Sequence, residues 1–196
     1  MPKIQTQKLS QHRDWRRHQL IEAAASIALE SGGNAITVAA VAERAGLSRT
    51  SVYEYFASSA DLVADLVIEE LDGFVGVLND AIKGCESGEE AIVRWIDAAL
   101  RYIADGRHLL AKALSATDTP KERASEIAAA HRALLSPMID SLNTFGVKDV
   151  YQALALIQST TDVASKRIEG GADAKSEIAS TTAFILAGLA GLKALI

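Results

Sequence analysis

The chain has 196 residues, of which 49% are hydrophobic, and this composition excludes a disordered chain. Aromatic residues account for only 5% and prolines number three, so an all-α fold is predicted, with a core of Ala, Leu, Ile and Val. The single cysteine, Cys85, excludes an internal disulfide and a multi-cysteine metal site, and no metal or cofactor is expected.

Positive charge gathers at the start of the chain, although the net charge is −5. Residues 1–60 carry seven Lys and Arg against five Asp and Glu, whereas residues 61–196 carry thirteen against twenty. Most of the positive charge lies in the segment 3–17. A basic end on an acidic body fits a small nucleic-acid-binding module, and a solvated tail gives the same distribution.

Neither end of the chain indicates a membrane protein. Residues 1–17 are polar and basic and lack the apolar run of a signal peptide. The uncharged stretch from Ile178 to Leu192 has fifteen residues, fewer than the roughly 20 that a membrane-spanning helix needs. A cytoplasmic location without a membrane partner is therefore expected.

Hydrophobic periodicity, capping residues and glycine stops predict three short helices followed by six longer ones. Ser58 and Asp61 have the spacing of a capping box at the start of a long helix. Ser87 and Glu90 repeat that spacing at the next helix. The sequence Thr119-Pro120-Lys121-Glu122 is the clearest helix start, with a cap followed by proline. The predicted helices cover about 13–31, 38–45, 48–55, 58–83, 87–105, 107–116, 119–146 with a bend or restart at Ser136-Pro137, 149–168 and 174–196.

Residues 37–56 have the pattern of a helix-turn-helix, two short helices joined by a tight turn that begins with glycine. Thr37 caps the first helix, and Gly46 supplies the left-handed conformation that ends it. Ser48 caps the second helix. A small shared core is predicted from Val38, Val41, Ala42, Leu47, Val52 and Phe56.

The outward face of the second predicted helix is short, polar and aromatic. At about 100° per residue, Val52 and Phe56 can both point inward. The residues that then point directly outward are Thr50, Tyr53 and Glu54, with Arg49, Ser51 and Tyr55 on the flanks. Such a surface fits a DNA major groove. The alternative, a helical hairpin packed inside a larger bundle, does not explain why an Arg, two hydroxyls and two tyrosines are exposed.

This run resembles the TetR family of transcriptional repressors. The resemblance covers about residues 14–74 and is carried by Leu20-Ile-Glu-Ala-Ala24, Thr37-Val38, Ala42, Ala45-Gly46-Leu47-Ser48, Val52-Tyr53 and Tyr55-Phe56. It implies a homodimer whose recognition helices, here Arg49 to Tyr55, bind two half-sites of a double-stranded DNA operator. Thr37 and Ser48 then face phosphates. Arg49 contacts a guanine or a phosphate, and Tyr53 and Tyr55 contact the DNA backbone and thymine methyl groups.

Some positions depart from the family's pattern. Ser59-Ala60 stands where many members have a phosphate-binding Lys, so this anchor is missing. Glu54 is repelled by phosphates unless it accepts a hydrogen bond from a cytosine amino group. Ala28 and Gly33 stand where large or aromatic residues are frequent, which predicts a lean core. The basic segment 3–17 can replace part of the missing contact only if it is ordered, and a frayed tail is expected there.

After a DNA-binding domain at 14–74, residues 75–196 are predicted to form a helical domain for effector binding and dimerisation. The resemblance implies release from the operator by a small molecule, whose identity the sequence does not give. Cys85 has little to activate a thiolate, because Lys83 is its one nearby cation. The candidate ligand-binding residues, each of which has a place in the plain core or at the surface as its alternative, are Trp95, Tyr102, His108, His131 and Met138.

The last two helices are predicted to form the dimer interface. Apolar residues from Val150 to Ile168 recur at steps of four and three, like the seam of a packed helix pair. The stretch from Phe184 to Leu192 is apolar around nearly the whole helix and has to be buried on several sides. The alternative is a central helix of a monomer. The predicted interface residues are Leu154, Ile157, Phe184, Gly188 and Gly191.

Two other classes of function find less support. An enzyme or metal carrier on a helical bundle needs Glu-x-x-His pairs, a phosphate-binding glycine loop or a nucleophile elbow, and the sequence contains none of these. A helical adaptor that binds only protein does not need exposed Arg and Tyr on its first helix pair. The sequence therefore predicts a regulator without catalytic residues.

Overall fold

The computed structural model describes residues 3–115, 117 and 119–194, and for residues 3–11 it describes the backbone only. Within these residues there are nine α-helices, two short 3-10 helices and no strand, so the predicted all-α class is confirmed. The α-helices are α1 (Lys3–Ser31), α2 (Val38–Arg44), α3 (Arg49–Tyr53), α4 (Ser59–Ile82), α5 (Gly88–Ala104), α6 (Leu109–Leu114), α7 (Ala124–Phe145), α8 (Val150–Glu169) and α9 (Ala174–Ala194). The 3-10 helices are Gly33–Ala35 and Lys121–Arg123.

The chain divides into two compact units, one formed by Met1–Glu70 with Leu109–Ala129 and the other by Leu71–His108 with Ala130–Ile196. The sequence predicts a single boundary between residues 74 and 75. The structure instead returns α6 and the start of α7 to the first unit. The physical reason is that Leu110 and Leu114 on α6 are buried in the first unit's core, a contact that no local pattern reveals.

The core of the first unit is small and joins α1, α2, α3, α6 and the start of α4. Leu20, Val52 and Phe56 are at most 1% exposed, and the burial of each such side chain contributes about 1.5–3 kcal/mol. Gly33 is buried because the end of α6 packs on it. A Cβ at this position would meet the carbonyl oxygen of Ala113 at 2.8 Å and also the Thr117 hydroxyl. The small residue at position 33 is therefore required by close packing.

Both predicted capping boxes are present at their helix starts. The Asp61 amide donates to Ser58 Oγ at 3.1 Å, and the Asp61 carboxylate accepts from the amide of Ala57. The Glu90 amide donates to Ser87 Oγ at 3.1 Å, and its carboxylate accepts from the preceding Glu86 amide. In each case the carboxylate accepts from the residue before the cap, one position earlier than the cap amide of a standard capping box.

Three local predictions differ from the structure. Helix α1 begins at Lys3 instead of about residue 13. The predicted start at Thr119 is wrong, because Pro120 occupies the cap position without a side-chain acceptor and the first turn is a 3-10 helix. Helix α7 runs through Pro137 without a restart. Ser141 Oγ donates to the Pro137 carbonyl at 2.7 Å, so that carbonyl has a side-chain partner within the continuous helix.

The second unit has its own core, built from α5, α7, α8, α9 and the end of α4. Leu78, Ile92, Met138 and Leu142 are fully buried there. Helix α5 approaches the end of α7 very closely at Gly88, where a Cβ would lie 2.5 Å from the Ser141 carbonyl oxygen. The packing of these two helices therefore depends on the absence of a side chain at this position.

Helix α9 has 21 residues, more than the uncharged stretch that the sequence suggests, and by length and composition it is long and apolar enough to cross a membrane. The core helix of a soluble protein passes the same test. Within the protomer, 22% of its most apolar window is buried. One side of α9 packs on α5 and α8, and the rest is exposed.

We predict that Gly88→Ala destabilises the protein by about 1–3 kcal/mol, because the added methyl group meets backbone atoms of α7 that cannot turn aside. Gly73→Ala in α4 is the matched control, since a Cβ there meets nothing within 4 Å and alanine gains up to about 1 kcal/mol in a helix. Urea unfolding measures both. Equal stability of Gly88→Ala and the wild type would contradict the close contact.

Candidate nucleic-acid interface

Helices α2 and α3 form the predicted helix-turn-helix, and hydrogen bonds fix the turn between them. Thr37 Oγ1 accepts from the Ala40 amide at 3.1 Å at the start of α2. At its end, the Leu47 amide donates to the Ala42 carbonyl at 2.8 Å, and Gly46 has a φ of 66°. This is the Schellman arrangement, which glycine adopts without strain and which sets the direction of the chain into α3.

Helix α3 is short, and buried side chains anchor it to the first unit's core. Val52 is 0% exposed, Phe56 is 1% exposed, and both belong to the first unit's core, as the helical wheel predicts. Ser48 Oγ accepts from the Ser51 amide at 3.0 Å and also lies 2.9 Å from Ser51 Oγ. The hydroxyls of Ser48 and Ser51 are therefore partly occupied by each other, while Ser48 stays exposed.

The outward side of α3 carries Arg49, Thr50, Tyr53 and Glu54, all of them exposed. The Tyr53 side chain is 58% exposed, which is far more than a tyrosine of the core would be. Within the described part of the chain, Arg49 and Tyr53 have no side-chain hydrogen bond or ion pair. Tyr55 differs from the expectation, since it is half-buried and packs against the first unit's core. Only part of its ring can reach a ligand.

Arg44 is basic and lies close to the turn, but its guanidinium is bound to side chains of α1. It is therefore not free to contact DNA. Its guanidinium donates to both carboxylate oxygens of Glu30, at 2.7 and 2.6 Å, and to Ser26 Oγ at 2.6 Å. The hydrogen bond from Arg44, followed by that from Ser26, holds the pKa of Glu30 below its ordinary value. The ion pair between Arg44 and Glu30 therefore stabilises the folded state at pH values above the ordinary carboxylate pKa. This contribution is lost as the pH falls through the lowered pKa of Glu30.

A second set of ion pairs joins α1 and α4. Arg17 pairs with Asp65 and, at 3.0 Å, with Glu69, and its guanidinium lies 5.7 Å from the centre of the Phe56 ring. Burial lowers the pKa of Arg17, and the hydrogen bonds to Asp65 and Glu69 raise it by more. Arg17 therefore belongs to the brace between the helices, and its charge is not available to a phosphate.

Arg123, in the turn before α7, completes this network. Its side chain is 20% exposed, and it donates to Asp61 and Asp65 at 2.6 Å each and to Glu126 at 2.8 Å. The hydrogen bond to Glu126, followed by that to Asp65, raises the pKa of Arg123 above its ordinary value. No sequence pattern predicts this residue, because its partners Asp61 and Asp65 lie about sixty positions earlier in the chain.

The basic N-terminal segment is only partly described. The side chains of Lys3 and Lys8 lie outside the described residues, although the backbone from Lys3 is helical where a frayed tail is expected. Arg13 is exposed, and the Arg16 guanidinium lies 5.2 Å from the centre of the exposed Trp15 ring. Arg13 and Arg16 are thus the described cations of this segment that remain outside the ion-pair network.

The residues predicted to bind a ligand are dispersed in the second unit. Met138 is fully buried in the core, His131 is exposed on α7, and His108 Nε2 lies 2.7 Å from Glu169 Oε1. Tyr102 is buried and stacks on Phe74 at 4.3 Å between ring centres. Of the predicted set, Trp95 lines a cleft of about 480 Å³ that α4, α5, α7 and α8 form. The other four candidates do not line this cleft, and the role of each in ligand binding stays a prediction.

Helices α8 and α9 present a second, apolar groove of about 270 Å³. Phe184 and Gly188 line this groove and are exposed, Phe184 to 69%, and Gly191 is exposed further along α9. Leu154 and Ile157, by contrast, are 6% and 1% exposed in the protomer. Both belong to the second unit's core, and Ile157 also lines the groove. Another side of α8 carries Leu156, Thr160 and Val163, and Leu156 and Val163 are exposed. The sequence analysis does not predict that these residues belong to the interface.

An exposed polar helix on a helix-turn-helix, with a second helical unit in the same chain, is typical of a DNA-binding regulator. Residues 20–66 match the family model described as bacterial regulatory proteins, tetR family. This segment, which contains α2, α3 and the start of α4, is therefore similar to the tetR family of bacterial regulatory proteins.

Three relatives set the range of similarity. The chain is 26% identical over 91 residues to the HTH-type transcriptional activator FasR of Mycolicibacterium smegmatis, a match that covers 46% of this chain and 42% of that protein. The structure of FadR from Bacillus subtilis in complex with stearoyl-CoA has a TM-score of 0.72 at 21% identity, over 87% of this chain and 98% of that one. PfmR from Thermus thermophilus has a TM-score of 0.66 at 22% identity, over 85% of this chain and 96% of that one. At these identities the structures establish the fold alone.

We predict that Arg49→Ala and Tyr53→Ala weaken DNA binding without lowering the melting temperature, because both side chains are exposed and lack partners among the described residues. Arg49→Ala costs about 1–3 kcal/mol and relaxes preference at one base if Arg49 binds guanine. If Arg49 binds phosphate, affinity falls for all sequences and the salt slope shrinks by about one.

Val52→Ala is the matched control in the same helix. Because Val52 is 0% exposed, this change lowers stability first, by about 1–3 kcal/mol, and DNA binding only in consequence. Thermal unfolding and fluorescence anisotropy with labelled DNA separate the two effects. Undiminished DNA affinity of folded Arg49→Ala and Tyr53→Ala proteins would remove α3 from the interface.

Proposed function

We propose that the protein is a homodimeric repressor that binds a double-stranded DNA operator through α3 and is released from it by a small-molecule effector. The observation that carries this proposal is the exposed side of α3. Arg49 and Tyr53 project from a helix whose other side is completely buried. Side chains of this kind on a helix of this size are suited to contact base edges and phosphates in a major groove.

The remaining predicted contacts extend this surface. Thr37 and Ser48 are exposed hydroxyl residues at the starts of α2 and α3, and we propose that they face phosphate oxygens. Thr50, Ser51 and Glu54 complete the surface. Glu54 favours a site with a cytosine amino group opposite it, since a phosphate there would repel its carboxylate.

The proposed partner in the dimer is a second copy of the chain, seated on α8 and α9. The exposed apolar residues Leu156, Val163 and Phe184 are 53%, 58% and 69% exposed, which is unfavourable for a surface left in water. Gly188 and Gly191 leave open space where a partner helix can approach closely. A two-fold axis through this groove lets both copies bury the same residues, which is the usual arrangement in homodimers.

We propose that a second copy of the chain, and not a membrane, covers the exposed side of α9. A cytoplasmic location follows from the proposed binding to chromosomal DNA. Helix α9 is already packed along one side on α5 and α8, so lipid cannot surround it as it surrounds a lone membrane-spanning helix. The effector is proposed to bind the cleft at Trp95. That the effector is a small molecule is supported by FadR from Bacillus subtilis, a chain of similar fold that is described in complex with stearoyl-CoA.

We expect the protein to protect a pseudo-palindromic DNA site whose half-sites lie about 34–36 Å apart, or a multiple of this distance, because a two-fold dimer carries two copies of α3. Mobility shift and footprinting on the DNA upstream of its own gene test this expectation. Protection of one asymmetric half-site, or of none, would contradict it.

Deletion of the gene is expected to raise the target transcript, whereas a fall would make the protein an activator, as FasR is described.

We predict that Gly188→Arg converts the dimer into a monomer, because a charge and a large side chain in the interface cost several kcal/mol. The fold of the protomer tolerates the change, since a Cβ at Gly188 meets nothing within 4 Å. Gly76→Arg in α4 is the control, an equally open glycine away from α8 and α9. Analytical ultracentrifugation distinguishes the two variants. A Gly188→Arg protein that sediments as the wild-type dimer does would place the interface elsewhere.

A further inference from the structure

The cleft in the second unit has one apolar wall and one polar wall. The apolar wall consists of Phe74, Ile103, Leu134 and Leu135. The cleft has a volume of about 480 Å³, which lies within the range of roughly 300–1,000 Å³ for small-molecule sites. Helix α8 supplies the polar wall. The floor is formed by α5, where Trp95 is 6% exposed.

Trp95 carries a hydrogen-bond donor without a partner. Its indole Nε1 is buried, and no acceptor lies within hydrogen-bond distance among the residues that the structure describes. A buried N–H that has lost its water and found no other acceptor destabilises the protein, so such groups are rare. Nε1 itself has almost no accessible surface, so an acceptor on a ligand, such as a carbonyl oxygen, can pair with it once the indole turns towards the cleft.

The polar wall offers hydrogen-bond acceptors, the side-chain donors of Gln158 and Ser159, and one negative charge. Thr161 Oγ1 donates to the Ile157 and Gln158 carbonyls at 3.0 Å, and Ser165 Oγ donates to the Thr161 carbonyl at 2.8 Å. Because these hydroxyl protons are used by the backbone, the two oxygens can only accept from a ligand. Asp162 is the one charged side chain that lines this part of the described structure, and no described cation accompanies it.

We infer that this cleft binds a small molecule with an apolar body, a carbonyl-type acceptor for Trp95 Nε1 and no negative charge. This inference rests on the proposed effector site and names the chemistry of its ligand. An anionic carboxylate or phosphate in the cleft would be repelled by the carboxylate of Asp162, and the donors of Gln158 and Ser159 carry no charge that offsets this repulsion. The headgroup chemistry of an acyl-CoA therefore does not fit this cleft.

Two fluorescent probes test the inference on the full-length protein. Prodan is an uncharged naphthalene ketone, whereas anilinonaphthalene sulfonate (ANS) is an apolar anion of similar size. We expect Prodan to bind more tightly. Trp95→Phe keeps an aromatic floor and removes the N–H, so it weakens Prodan binding about 3- to 10-fold, as the loss of one hydrogen bond does. Asp162→Asn, an exposed substitution, strengthens ANS binding about threefold at low salt and leaves Prodan unchanged.

Phe184→Ala, in the apolar groove of α8 and α9, is the control for binding at the other site and is expected to change neither affinity. Equal Prodan affinity of Trp95→Phe and the wild type, or a loss with Phe184→Ala instead, would overturn the inference. So would ANS binding that is as tight as Prodan binding and insensitive to Asp162→Asn. DNA binding by the ligand-free protein is measured separately, so a wild type that binds the probes and no DNA refutes the proposed function alone.

Discussion

The DNA-binding surface proposed for α3 depends on the burial of Val52 and Phe56. A helix of five residues has no stability of its own in water, because the cost of starting a helix exceeds what one turn returns. Helix α3 persists because these two side chains insert into the first unit's core, and because the glycine turn and the Ser48 cap fix its start. The exposed positions of Arg49 and Tyr53 follow from this anchorage, since the buried side of a helix determines which residues face away.

The ion pairs around Asp65 act on the same small unit. Arg17 from α1 and Arg123 from the turn before α7 both bind this carboxylate, and it lies on α4, the helix that follows the helix-turn-helix. Single surface ion pairs contribute little, about 0–1 kcal/mol, but a network in which Arg123 is only 20% exposed also fixes the relative positions of its helices. Helices α4 and α7 both contribute residues to the second unit as well.

The second unit presents two cavities of different chemistry, and this difference separates their proposed roles. The groove of α8 and α9 is lined almost wholly by apolar groups, which suits the broad apolar contact of another helix pair. The cleft at Trp95 combines an apolar wall with an unpaired donor, acceptors and a carboxylate, which suits a small molecule of defined polarity. The two occupants are therefore not interchangeable.

The sequence by itself determined the helical class, the helix-turn-helix, both capping boxes and the inward direction of Val52. Each of these depends on residues within a few positions of one another, where helix geometry alone relates sequence to space. Only the tertiary structure decided that Leu154 and Ile157 face the protomer's own core, that α6 joins the first unit, and that Arg123 binds Asp61 and Asp65. Apolar periodicity shows that a helix has a buried side, but a protomer core and a partner copy bury the same kinds of residue. Contacts between positions about sixty residues apart are set by packing, and no local spacing encodes them.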